Sequence, residues 1–126
     1  MPKSVSSQHV PSPAGHYSQA MIHGDTVYVS GLLPVQKGVE INPGLSFDEQ
    51  VEIVFNNLKQ ILEEAGSSLN QVIKVTVYIA DIALWPAFNQ LYSNIFGNHK
   101  PARVVVPVPE LHYGFKIEVE AVAAVD

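Results

Sequence analysis

The chain has 126 residues, enough for one hydrophobic core, and is read as a single domain spanning 1–126. Its formal net charge is -5, and its seven basic residues (six lysines and Arg103) are scattered, with no basic run or stripe. Phosphate-backbone binding needs clustered cations, so the composition argues against nucleic acid as a partner, and the absence of cysteine excludes disulfides, thiolate nucleophiles and Cys-based metal sites.

Residues 1–16 are polar and rich in Ser, Pro and His, and read as an irregular lead-in. They lack the apolar centre of a signal peptide, and no apolar run approaches the ~20 residues of a membrane span, so a cytoplasmic protein with no membrane partner is expected. Ala20 to Ile22 and Val27 to Ser30 are short strand-like runs, with the turn His23-Gly24-Asp25-Thr26 between them predicting a hairpin. Gly31, Pro34, Gly38, Pro43 and Gly44 then punctuate a long loop.

The spacing of Phe47, Val51, Val54, Phe55, Leu58, Ile61, Leu62 and Ala65 predicts an amphipathic helix. Ser46 and Glu49 make a capping box at its start, and Gly66 stands where a helix-ending glycine belongs. Residues 72–79 alternate as a strand, with Ile73, Val75, Val77 and Ile79 expected on one face. A second helix follows, with Asp81 as its expected cap and Pro86 near its first turn. Trp85, Phe88, Leu91, Tyr92, Ile95 and Phe96 form its stripe. Strands over 102–108 and 115–124 complete the order β-β-α-β-α-β-β. The expected fold class is α+β, a two-layer sandwich of a mixed sheet with two helices on one face. The other face stays open, presenting the Tyr78 and Glu118 side chains together with apolar ones such as Val105, and open mixed faces of this kind often serve as oligomer interfaces.

Arg103 heads a β-branched run, Pro101-Ala102-Arg103-Val104-Val105-Val106. Its planar fork can hold a carboxylate bidentately, as lysine cannot. A salt bridge to Glu118 or Glu120 is the plainer alternative. Those two glutamates share one strand face, where each is either paired with a cation (Lys116, Lys74 or Arg103) or poised as a general base or acid. Tyr17, Ser18, Gln19 and Ser30 supply polar groups beside Gly15 and Gly31; no G-x-S-x-G elbow surrounds Ser30. Asn89 lies on the second helix. The five histidines, at 9, 16, 23, 99 and 112, show no metal-ligand spacing, and no phosphate loop or dinucleotide fingerprint occurs. Neither a metal nor a cofactor is expected.

Several segments together carry a resemblance: Gly15-His16-Tyr17-Ser18-Gln19-Ala20, Val29-Ser30-Gly31, Asn57 through Ala65-Gly66, Val75 through Asp81, Phe88-Asn89 with Tyr92 and Phe96, Pro101-Ala102-Arg103, and Ile117-Glu118-Val119-Glu120-Ala121. Across nearly its whole length the chain resembles the Rid (YjgF-type) family of reactive-intermediate deaminases. The resemblance implies a chorismate-mutase-like fold, a homotrimer with clefts between subunits, and hydrolysis of 2-imino acids such as 2-iminopropanoate or 2-iminobutanoate to 2-keto acids and ammonia. By the same resemblance, Arg103 grips the substrate carboxylate and Glu118 positions the attacking water. Tyr17, Ser30, Gly31, Asn89 and Val105 line the ligand.

Five positions depart from the family's usual residues: Val104 stands for serine, Val105 for cysteine, His16 and His112 for proline, and Leu32 for glutamine. Two other readings stay open. One is a non-catalytic module that binds a small carboxylate such as a 2-keto acid. The other is a ribonuclease or translation inhibitor, against which the charge weighs.

Overall fold

The first helix forms as its sequence pattern predicts. In the computed structural model, which describes residues 1–126, α1 spans Phe47–Glu64. Ser46 Oγ accepts the Glu49 N–H at 3.2 Å while Glu49 reaches back to Ser46, a reciprocal cap of a kind that contributes about 1 kcal/mol. At the other end Gly66 takes φ 82°, and the Ser67 N–H closes onto the Leu62 carbonyl at 2.8 Å. That left-handed turn is why glycine stands there.

Six strands make one sheet: β1 (Lys3–Val5), β2 (Ala20–His23), β3 (Thr26–Leu32), β4 (Val72–Ile79), β5 (Ala102–Pro107) and β6 (Ile117–Ala124). Their order is β1-β2-β3-β6-β4-β5. All pairs are antiparallel except β4 with β5, which α2 (Trp85–Phe96) connects as a crossover. α1 packs on β3 and β6 and against α2, and one continuous core lies between helices and sheet. The sheet is therefore mixed and two-layered, as expected. No helix is long and apolar enough to cross a membrane.

Four local expectations change. The lead-in contains β1, because Gln19, buried, accepts the Ser7 N–H and donates to the Ser7 and Pro11 carbonyls, tying the segment to the sheet edge. Asp81 caps a short 3₁₀ turn over Ile82–Leu84 and not α2, whose N-cap position is Leu84. Ile73 is exposed and Val72 buried, because the β4–β6 register shifts between Val72 and Lys74. Val105 pairs with Val77 and so lies on the helix-covered side; Val104, opposite Thr76, is the valine on the open face. Simple alternation sees neither the bulge nor which parity faces the helices.

Candidate active site

β3 and β6 pair regularly up to Val29–Ala121 and resume at Leu32–Val119. Two residues, Ser30 and Gly31, therefore oppose the single Glu120, a bulge that re-aims their groups. Ser30 Oγ donates to the Ser18 carbonyl at 2.6 Å, which holds the Tyr17 segment beside the bulge. Glu118 folds over Gly31 so closely that a Cβ there would strike its Oε2. Glycine is required by this approach, not by its backbone angles, which are not left-handed.

Glu118 is half-buried, and burial is the main reason its carboxyl sits above the usual range. The Glu120 charge adds to the shift, and His112 opposes it. Glu120 itself accepts the Tyr78 hydroxyl at 2.6 Å. That hydrogen bond, with burial behind it, raises the Tyr78 phenol. Glu120 thus has a structural partner on β4.

Arg103 has entirely different surroundings. It pairs with Val75 on β4, so its side chain rises on the helix side at the sheet's edge strand. Its guanidinium lies 4.8 Å from the Tyr92 ring centroid, 5.7 Å from Phe88 and 5.8 Å from Trp85. Nη1 donates to Asn89 Oδ1 at 3.0 Å. All four partners lie on α2 at i, i+3, i+4 and i+7, one helical face supplying a cradle for a flat cation. Tyr92 carries a buried hydroxyl without a partner, and desolvation pushes its pKa up to about 12 against the lowering effect of Arg103. It stays neutral under the cation.

The salt bridge from Arg103 to Glu118 or Glu120 does not form. β4 separates their strands, roughly 10 Å apart at ~4.8 Å per strand, and the glutamates point to the opposite sheet face. Within one chain the proposed site residues therefore fall into two groups. Arg103 and Asn89 touch at the edge, with Val105 on the same side. Tyr17, Ser30 and Gly31 gather around a cleft of about 310 Å³, with Glu118 against Gly31.

Sequence reasoning missed part of this cleft. Leu33, Ile41 and Tyr113 line it, along with the departing residues Leu32 and His112. In the sequence alone Gln50 and Asn57 carry no assigned role. Both are buried: Gln50 holds the Pro43 and Leu45 carbonyls and the Lys116 N–H, and Asn57 holds the Val35 carbonyl. A polar residue interrupting the apolar side of α1 was the available clue. No group of three acidic, His or Cys side chains is placed to hold a metal.

A family model described as Endoribonuclease L-PSP matches residues 7–125. The chain belongs to this family, which is also called YjgF/RutC. A RutC family protein of Pyrococcus abyssi is 44% identical over 120 residues, covering 94% of each chain. Among solved structures, RidA of an Antarctic Psychrobacter superposes with a TM-score of 0.90 at 34% identity, covering 98% of this chain and 99% of that one. E. coli TdcF with bound serine superposes with a TM-score of 0.91 at 32% identity, with the same coverage.

Proposed function

We propose that the protein hydrolyses 2-imino acids to 2-keto acids and ammonia, in clefts that a homotrimer completes by setting one subunit's Arg103 edge against the Gly31–Glu118 face of the next. The observation that carries the reading is the division of the site into two complementary halves. One half is a guanidinium held flat by α2, with a carboxylate-shaped fork and Asn89 as its hydrogen-bond partner. The other is a carboxylate of raised basicity above a glycine, on an open face that carries exposed Met21, Tyr28 and Val104. Exposed apolar surface of that kind suits burial against further copies of the chain.

The chemistry needs little else. An iminium carbon is already electrophilic, so holding the acid and aiming one water lowers most of the barrier. Arg103 binds the substrate carboxylate, and Asn89 fixes the guanidinium's plane. Glu118, ionised, accepts a proton as water adds to the carbon. The resulting carbinolamine collapses as Glu118 returns that proton to its nitrogen and then takes the hydroxyl proton, so that ammonia leaves and the C=O of the keto acid forms. Raising the Glu118 carboxyl makes it a stronger base for this step. Val105 takes the family's cysteine position from the helix side, where its backbone carbonyl remains able to hold the water.

The test generates 2-iminopropanoate or 2-iminobutanoate in situ and follows its decay. Wild type is expected to accelerate the decay, and Arg103→Ala to lose that acceleration by 100-fold or more, since a charge-assisted fork contributes about 1.5–3 kcal/mol and the orientation it provides is lost with it. No acceleration by wild type, or undiminished activity in the variant, refutes the reading.

The bound serine in E. coli TdcF favours one second reading, a module that binds small carboxylates without turning them over. Glu118→Gln separates the two: it removes turnover if Glu118 is the base and leaves ligand affinity unchanged if binding is the whole function. The nuclease activity in the family's description gains nothing from a chain of net charge -5 with a single arginine.

A further inference from the structure

We infer that the preferred substrates are 2-imino acids with bulky apolar side chains, of branched-chain to aromatic size, and that the cleft beside Gly31 receives those side chains. The inference rests on the imine-hydrolysis reading and adds to it the class of substrate.

The cleft is continuous with the proposed reaction site, since Tyr17, Ser30 and Gly31 are among the residues that line it. From there it runs between the lead-in, the long loop and α1, walled by Val10, Pro13, Leu32, Leu33, Ile41 and Ile61. No Lys, Arg, Asp or Glu lines it, and its one basic side chain is the exposed His112, so a charged side chain finds no buried charged partner there. Ligand sites are of this kind, apolar with a few placed polar groups.

Its volume sets the size. Taking the ~30 Å³ that one water occupies in the liquid as an upper bound per heavy atom, side chains of four to seven carbons need at most ~120–210 Å³. The cleft holds about 310 Å³. Side chains of that size fit within it, whereas a single methyl leaves most of the space empty.

A second observation concerns the mouth. Tyr113 is the one non-glycine residue in the left-handed region, at φ 64°. Such strain persists where surrounding structure enforces it, often at ligand clamps. Here it sets the Tyr113 ring at the cleft, with the His112 ring against it, centroids 3.8 Å apart and planes tilted by 40°. Tyr17 and Ile41 stand at the same cleft with 53% and 40% of their surface exposed. Large apolar groups left open around a cavity are suited to grip an apolar ligand group.

The experiment forms imines in situ from alanine, leucine, phenylalanine and glutamate with an amino-acid oxidase and measures kcat/KM for the decay of each. Each buried methylene contributes about fourfold, so the leucine- and phenylalanine-derived imines are expected to exceed the alanine-derived one by tenfold or more, with the glutamate-derived imine slowest. Ile41→Ser, on an exposed loop where folding is not at stake, lowers the leucine-to-alanine ratio about fivefold. Equal or better turnover of the alanine-derived imine overturns the inference while leaving imine hydrolysis standing. An unchanged ratio in Ile41→Ser overturns the placement of the side chain. Failure to accelerate any imine overturns hydrolysis itself, and the substrate class with it.

Discussion

Gly31→Ala separates the position of Glu118 from the stability of the fold. The new Cβ meets Oε2 of Glu118 first and its Cδ at 3.3 Å, while no backbone atom stands in its way. The glutamate end is flexible, so the clash is relieved by moving the carboxylate about 1 Å, at a rotamer cost of about 0.5–1.5 kcal/mol. Gly31 has no positive φ, so alanine fits its backbone and restricts the unfolded chain, which offsets about 0.4–1 kcal/mol of that cost. Net stability therefore changes by less than about 1 kcal/mol. A misplacement of ~1 Å in a group that aims the water costs about 100-fold in rate. Urea unfolding and imine-decay kinetics on the same preparation make the comparison, with a fall expected in kcat more than in KM. Full activity in the variant refutes the claim that Glu118 acts from above Gly31. A loss of several kcal/mol refutes the claim that the side chain yields and the backbone does not.

Tyr92→Phe removes a buried hydroxyl that has no partner and keeps the ring beneath Arg103, so unfolding should show a gain of about 1–2 kcal/mol, with kcat/KM within about twofold of wild type. With Glu118 as the proposed ionised base and its carboxyl raised, chiefly by burial, with Glu120 adding and His112 opposing, activity is expected above its folded-state pKa and is lost as pH falls through it. A kcat/KM profile should place that acid limb above the ordinary Glu value of about 4.3, and the residual rate of Glu118→Gln should show no such limb.

Much of the candidate site was legible residue by residue. Arg103 stood out as the single arginine, Glu118 and Glu120 as carboxylates in an apolar strand, and Gly31 as a glycine following a strand-like run. Their grouping was not legible. Arg103 and Glu118 lie 15 positions apart in the chain, and a plain salt bridge between neighbouring strands was a fair expectation. The intervening strand β4 and the parity of the pairing put them on opposite faces. The Ser30–Gly31 bulge and the left-handed Tyr113 depend on cross-strand register and on contacts distant in sequence, which local pattern does not encode.

By itself the sequence determined the elements whose cause is local. The capping box at Ser46, the glycine stop at Gly66, the apolar stripe of α1 and the hairpin at Gly24-Asp25 all follow from neighbours within a few residues. Only the tertiary structure decided which side of the sheet each candidate group occupies, and that Arg103 and Glu118 stand apart on opposite faces within one chain. Side-chain direction in a strand changes with every single-residue shift of register, and long-range pairing sets that register.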